Sequence, residues 1–175
     1  MLNNEFTVKT VSILGVTGTI GDSTLKILSD NPNKYRIVSI IAQTNYRKLA
    51  QIANIFKPKV IAIESKELYP KLKELILDKN ITILAGKNGV LEAASHEVDI
   101  TISAITGING LLPTIEAIKS SKLIGLANKE SMVCAGNLIN KLAKNHNTII
   151  IPLDSEHNSI FRTFDFDNAN SISRI

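Results

Sequence analysis

With a single cysteine, Cys134, the sequence cannot close an internal disulfide, and it has no paired spacing that would offer a zinc site of the usual kind. A reducing cytoplasm fits this composition. Long apolar runs are lacking too. The longest, 37–42 and 148–153, fall far short of the roughly 18 to 20 residues that span a bilayer. Residues 1–10 carry Asn3, Asn4 and Glu5 where a signal peptide needs a basic start and an apolar stretch, so secretion is not expected. Nor is there a basic block: the formal charge of +4 comes from 20 basic and 16 acidic residues scattered along the chain without interleaved aromatics. This speaks against nucleic acid and suits phosphorylated small molecules.

What is present reads as an ordinary globular protein, 44% hydrophobic and 21% charged. Its 175 residues are enough for one domain and a piece of a second. Short β-branched runs at 10–14, 36–42, 60–63, 81–84, 100–104, 123–126 and 148–153 predict strands. Between them, apolar residues three and four apart predict helices over 22–29, 47–56, 66–77, 89–94, 111–120 and 132–145. Parallel strands need crossover connections, and those are right-handed, so the alternation predicts an α/β, Rossmann-like doubly wound parallel sheet. After Asp154 the rhythm stops: 155–164 reads as one helix and 165–171 as a polar stretch. The expected division is a cofactor-binding domain over 1–150 and the start of a second, catalytic domain over 151–175.

The first predicted strand runs straight into Gly15-Val16-Thr17-Gly18-Thr19-Ile20-Gly21, and a helix follows. Such a turn presents backbone N–H groups at a helix N-terminus, where the partial positive charge favours a pyrophosphate and glycine lets it approach. The spacing G-x-x-G-x-x-G departs from the commoner dinucleotide fingerprint, and tight turns also recruit glycine for backbone reasons alone. Its place in the first βα unit nonetheless points to a dinucleotide. At the end of the second strand, where NAD-binding proteins carry an acid for the ribose 2′-OH, the chain reads Gln43-Thr44-Asn45. With no carboxylate to repel a 2′-phosphate, and with Arg47 and Lys48 just beyond, NADPH is favoured over NADH. The alternative is that Arg47 and Lys48 are solvated residues of a helix start.

Asp154 and Glu156 follow the last predicted strand, and extended-chain alternation puts residues two apart on one side. Two hard oxygen donors at the ligand-gathering edge of a parallel sheet suit Mg²⁺ or Mn²⁺, while acids capping a helix are the bland reading. Lys129, also following a strand, can steer a phosphate or polarise an oxygen, or can be a surface lysine. His157 is left without a role. Cys134, among Met132, Val133 and Ala135, is expected to be buried and inert.

Three further stretches narrow the reading: Gly110-Leu111-Leu112-Pro113-Thr114, Leu126-Ala127-Asn128-Lys129-Glu130-Ser131 and Pro152-Leu153-Asp154-Ser155-Glu156-His157-Asn158. With the glycine turn, in this order and spacing, they resemble the N-terminal part of the 1-deoxy-D-xylulose 5-phosphate reductoisomerase family over nearly the whole chain. The resemblance implies an NADPH- and divalent-metal-dependent (Mn²⁺ or Mg²⁺) homodimeric enzyme that converts this phosphosugar to 2-C-methyl-D-erythritol 4-phosphate in non-mevalonate isoprenoid synthesis. Carried across by motif position, Thr17, Gly18, Thr19, Ile20, Asn45, Asn128 and Glu130 would touch NADPH, with Gln43 and Thr44 nearby. Lys129, Ser155 and Glu156 would meet substrate, with Lys129 and Glu156 catalytic. Asp154 and Glu156 would bind the metal.

The chain departs from that pattern at two points. Many relatives carry glycine and a basic residue where Gln43 and Thr44 stand, so the 2′-phosphate contact must move, with Arg47 the nearest candidate. The family enzymes are also considerably longer, so this chain is expected to lack the third metal carboxylate and most substrate-phosphate contacts, and to be inactive alone. A non-catalytic dinucleotide-binding sensor is the competing reading; it would keep the glycine turn but needs no acid pair. A homoserine or semialdehyde dehydrogenase would share the turn and an Asn-Lys pair but not Asp-Ser-Glu-His-Asn.

Overall fold

The structure, a computed structural model, describes residues 7–165, 167 and 168. Seven strands, β1 (Lys9–Leu14), β2 (Tyr35–Ala42), β3 (Val60–Ile63), β4 (Thr82–Ala85), β5 (Val98–Ser103), β6 (Ser121–Leu126) and β7 (Ile149–Pro152), form one sheet in the order β4-β3-β2-β1-β5-β6-β7. Every pairing is parallel. The helices are α1 (Thr19–Ser29), α2 (Tyr46–Phe56), α3 (Tyr69–Leu75), α4 (Gly86–Ala94), α5 (Leu111–Ser120), α6 (Lys129–His146) and α7 (Ser155–Thr163). The expected doubly wound parallel sheet is therefore what the chain forms. The polar stretch expected over 165–171 lies largely outside the described residues.

Strand alternation divides the apolar side chains between two cores. Ile13 and Leu14 are neighbours in β1, yet Ile13 packs with Leu25, Leu49 and Leu72 of α1, α2 and α3, and Leu14 with Val90, Ile118 and Ile139 of α4, α5 and α6. All of these are buried. Each such side chain contributes roughly 1.5–3 kcal/mol relative to exposure, which is why both faces of the sheet must be covered. In β2 a register shift opposite Val11/Ser12 keeps Ile37 and Ile40 on one face although they are three apart.

Two helix starts differ from the sequence expectation in a way that matters for function. The first helix begins at Thr19 rather than Asp22, with Gly18 as its N-cap, so the second half of the glycine motif already lies in the helical turn. The sixth begins at Lys129 rather than Met132, capped by Asn128. In both, the polar first turn carries no apolar periodicity to announce it. The predicted helix over 66–77 is instead a 3₁₀ turn (Lys66–Leu68) followed by α3.

Cys134 is exposed, contrary to expectation. Ala135 adopts φ −144° and ψ 27° inside α6, and this break resets the helical phase, so Val133 and Cys134 face outward while Ile139 and Ala143 are buried. Among the described residues, no helix is long and apolar enough to cross a membrane.

At the N-terminal edge of the sheet, Asp99 joins three strands. Its carboxylate accepts from the Thr10 backbone N–H at 2.9 Å, the Thr10 hydroxyl at 3.0 Å and Lys122 Nζ at 2.7 Å. The Lys122 ammonium first, then the Thr10 N–H, hold this carboxyl far below the usual carboxylate range, although burial opposes them. A depressed folded value means the stabilisation is full above the unfolded value of roughly 3.9 and is lost as pH falls through the folded one. Asp99→Ala is expected to cost about 1–3 kcal/mol near neutral pH, most of it from the Thr10 bonds because Lys122 is solvated. In urea melts, its deficit against the unaltered chain should narrow below roughly pH 4. A deficit independent of pH would remove the carboxylate from this role.

Candidate active site

The order of strands reverses between β1 and β5, and in open parallel sheets ligands gather outside the C-terminal ends at such a switch point. The loops that follow β1 and β5 are the glycine turn and residues 104–110. The starts of α1, α6 and α7 face the same edge, each bringing unsatisfied N–H groups and the positive end of a helix dipole.

The three glycines of the turn do different work. Gly15 has φ +87°, and a Cβ there would sit 2.6 Å from the Ala104 carbonyl oxygen. Both the turn and the approach of the β5 loop require glycine. At Gly21, in the first turn of α1, a Cβ would overlap the Val16 backbone, so glycine there permits close helix-to-strand packing. Gly18 is exposed, with φ −90°, and a Cβ would find only the Gly15 carbonyl, at 3.5 Å. The fold does not need glycine at that position, and the missing side chain leaves the backbone open to approach. The first α1 amide bonded within the chain at this end is Asp22 N–H, on the Gly18 carbonyl, which leaves the Thr19, Ile20 and Gly21 N–H groups ahead of the ladder.

Of the two basic residues after β2, the structure separates the roles. Lys48 Nζ donates to the Thr17 carbonyl at 3.0 Å and to Asp22 Oδ2 at 2.7 Å, tying the start of α2 to the glycine turn. Sequence reading missed this tether, because no local pattern shows a partner 26 residues away. Arg47 is exposed, lies over the Tyr46 ring at 5.6 Å from its centroid, and has no carboxylate partner among the described residues. Asn45 caps α2 through its bond from the Lys48 N–H. Gln43, Thr44 and Asn45 are exposed at the end of β2.

Two cavities flank the β5 loop. One, of about 490 Å³, is lined by Ile20, Asn128, Lys129, Glu130, Asp154, Ser155 and Glu156 together with 104–106. It gathers most of the expected site residues at one place. The other, of about 270 Å³, is apolar, walled by Ile41, Ala42, Val90, Ile105, Leu112 and Pro113, with Gln43 at its margin. No sequence pattern announces this second cavity, although the Gly110–Thr114 stretch supplies part of its wall. Thr17, Gly18 and Thr19 stand at the same sheet edge, outside both linings, as do Thr44 and Asn45.

Asp154 caps a helix with one carboxylate oxygen and leaves the other open. Its Oδ1 caps α7, accepting from the His157 N–H at 2.9 Å and pairing with His157 Nδ1 at 2.7 Å. Its Oδ2 has no partner among the described residues. Burial pushes this carboxyl up, but the bonds from the His157 backbone and ring outweigh it and lower the net value. Glu156 is exposed; its own backbone N–H, the Ser155 hydroxyl at 3.0 Å and the Lys129 charge hold its carboxyl down. Lys129 Nζ lies 3.5 Å from Glu156 Oε1, linking the first turns of α6 and α7. Two ionised carboxylates with hard oxygens and a free Oδ2 fit a divalent cation such as Mg²⁺ or Mn²⁺. Among the described residues, no group of three acidic, His or Cys side chains could hold one alone.

Asn128 also holds the loop after β5. Asn128 is buried, and its amide donates to the carbonyls of Ile105 and, at 2.8 Å, Gly107, while its Oδ1 accepts from the Ser131 N–H and hydroxyl, both at 2.7 Å. Two donors and one carbonyl oxygen with two bonds use the hydrogen-bonding capacity of the side chain within the fold.

A parallel doubly wound sheet with an open glycine turn at its switch point is the architecture of the dinucleotide-binding class, here with an acid pair and a lysine beside it. A family model described as 1-deoxy-D-xylulose 5-phosphate reductoisomerase matches residues 11–136, and the chain belongs to that family. A reductoisomerase of Acinetobacter baumannii (strain SDF) is 43% identical over 159 residues, covering 89% of this chain and 40% of that protein. One of Lachnospira eligens is 44% identical over 168 residues, 95% of this chain and 44% of that protein. The structure of the Zymomonas mobilis reductoisomerase in complex with NADPH superposes with a TM-score of 0.87 at 39% identity, over 92% of this chain and 43% of that one. A reductoisomerase in complex with NADPH, fosmidomycin and magnesium gives 0.85 at 41% identity, over 93% and 40%. The chain thus spans about two fifths of the relatives it matches.

Proposed function

We infer that this chain supplies the NADPH-binding front of a 1-deoxy-D-xylulose 5-phosphate reductoisomerase. One observation carries the reading: the free N–H groups of the glycine turn open at the same sheet edge as a cavity holding Lys129, Asp154 and Glu156. A sensor module has no use for the acid pair. The neighbours solved with NADPH and with magnesium support both cofactors.

The glycine turn binds the pyrophosphate through Thr19 and Ile20 N–H, with Gly18 admitting it to the backbone. The apolar cavity beside Ile41 and Ile105 accepts the adenine, and Arg47 takes the 2′-phosphate that Lys48, held by Asp22, is not free to meet. Asn45 and Glu130 border the same path. Asp154 and Glu156 hold the divalent cation, which when bound supplies Lewis-acid polarisation of substrate oxygens. Lys129 and Ser155 orient the phosphosugar and Glu156 positions its reacting oxygens, toward 2-C-methyl-D-erythritol 4-phosphate as product. Two carboxylates and a lysine leave the substrate open to water, so turnover is assigned to the longer enzyme and not to this chain alone. A boundary near residue 150, a cytoplasmic location and a homodimer belong to the same proposal, with β7 carrying the sheet on to Pro152.

Calorimetric titration of the chain with both cofactors tests the reading. NADPH is expected to bind more tightly than NADH, and Arg47→Gln to narrow the difference. A threefold preference for NADH, about 0.65 kcal/mol, would contradict the 2′-phosphate assignment.

A further inference from the structure

We propose that Lys48 is a positioning residue for the glycine turn: it fixes the Thr17–Gly18 peptide and neutralises Asp22, and so serves the part of a dinucleotide that NADPH and NADH share. The proposal rests on the reading of the chain as a dinucleotide binder. It gives Lys48 a role distinct from the one assigned to Arg47.

The C=O and N–H of one trans peptide point opposite ways, so a peptide bonded at both ends is fixed in orientation. The peptide between Thr17 and Gly18 is held in this manner. Its carbonyl accepts from Lys48 Nζ at 3.0 Å, and its N–H donates to the Gly15 carbonyl at 3.1 Å. The free N–H groups of Thr19, Ile20 and Gly21 follow directly, so their directions depend on this plane. Gly18 has no side chain to restrain it and would otherwise visit many other conformations. The Lys48 backbone is itself held, since its N–H donates to Asn45 Oδ1 at 3.1 Å, the cap of α2. One residue therefore ties the loop after β2 to the loop after β1.

Asp22 gives the cation a second task. It is the acid in the first turn of α1, and the positive end of that helix is also what a pyrophosphate would use. Alone, this carboxylate would repel the phosphates and compete for that end. Lys48 Nζ lies 2.7 Å from its Oδ2 and offsets the charge. The pair is solvated, with Lys48 32% and Asp22 54% exposed, so it adds little to stability. Its larger effect falls on whatever binds at the turn.

The test titrates the 175-residue chain with NADPH and NADH at one ionic strength, and follows melting and exchange of the Gly18 amide in the free protein. Lys48→Met keeps the apolar stem and removes the charge. It is expected to weaken both cofactors about five- to tenfold, with their ratio held within about twofold, and to speed Gly18 exchange. It should melt within about 3 °C of the unaltered chain. Lys48→Arg, whose guanidinium can donate to both the Thr17 carbonyl and Asp22, should restore binding to within about twofold. Adding Asp22→Asn to Lys48→Met should regain about threefold, because the unpaired carboxylate is gone. Arg47→Gln supplies the contrast, narrowing the preference for NADPH that Lys48→Met leaves intact. A loss confined to NADPH would make Lys48 a 2′-phosphate contact and overturn the proposal. Unchanged binding of both cofactors by Lys48→Met would overturn it too, as would a double variant no better than Lys48→Met alone. Failure of the unaltered chain to bind either cofactor would overturn the underlying reading and this role with it.

Discussion

In a chimera carrying this chain as the front of the Zymomonas mobilis reductoisomerase, Glu156→Gln is expected to lower turnover by about 10²- to 10³-fold, or about 3–4 kcal/mol of transition-state stabilisation. The side chain is held ionised by its own N–H, the Ser155 hydroxyl and Lys129, and it opens on the cavity shared with Asp154. Removing its charge takes away one of two carboxylates for the cation and frees Lys129 from its counter-charge, so cation and substrate are both misplaced. Asp154→Asn should be milder in structure and selective in effect. Asparagine still caps α7, but the neutral oxygen holds a divalent cation less well. The apparent Mn²⁺ requirement should rise while NADPH affinity, set at the glycine turn, stays within about twofold. Steady-state kinetics across Mn²⁺ concentrations decide the matter. Near-normal turnover and unchanged metal dependence in both variants would leave Asp154 and Glu156 as helix-capping acids only.

The glycine turn should divide cleanly between folding and binding. Gly21→Val places a branched side chain into the Val16 backbone, and neither α1 nor β1 can retreat without opening the core around Leu25 and Ile13. The cost is expected to be about 3 kcal/mol or more, seen as a lower urea midpoint. Gly18→Val should fold with nearly the stability of the unaltered chain, because the position is open and its φ of −90° suits any residue. Its NADPH affinity should nonetheless drop by about tenfold or more, since the side chain occupies the approach to the Thr19 and Ile20 N–H groups. If Gly18→Val instead unfolded the chain while binding per folded molecule stayed intact, the turn would be structural throughout.

The sheet was legible because its signals are local: 60–63 and 111–120 fall where β-branched runs and apolar spacing place them. That the strands run parallel followed from the crossover rule, whereas their order, and the switch point with it, is set by packing that no local signal carries. Less legible was whatever depends on partners far along the chain. Nothing local showed that Lys48 would be tied to Asp22, or that the Asn128 amide would hold the carbonyls of the β5 loop. Cys134 was misread because a break at Ala135 is invisible in an apolar run. The Asp154–His157 pairing shows a further limit: a metal carboxylate and a helix cap carry the same sequence mark, and only the fold shows that Oδ1 caps α7.

The most direct test of the central claim is an amide chemical-shift titration of the chain with NADPH. Saturable shifts are expected at Thr17–Gly21, at Gln43–Arg47 and along residues 105–108, with the opposite sheet edge around Arg36, Lys57 and His96 unchanged. Shifts confined to that opposite edge, or no saturable shifts in a folded chain, would contradict a dinucleotide site at the β1–β5 switch point.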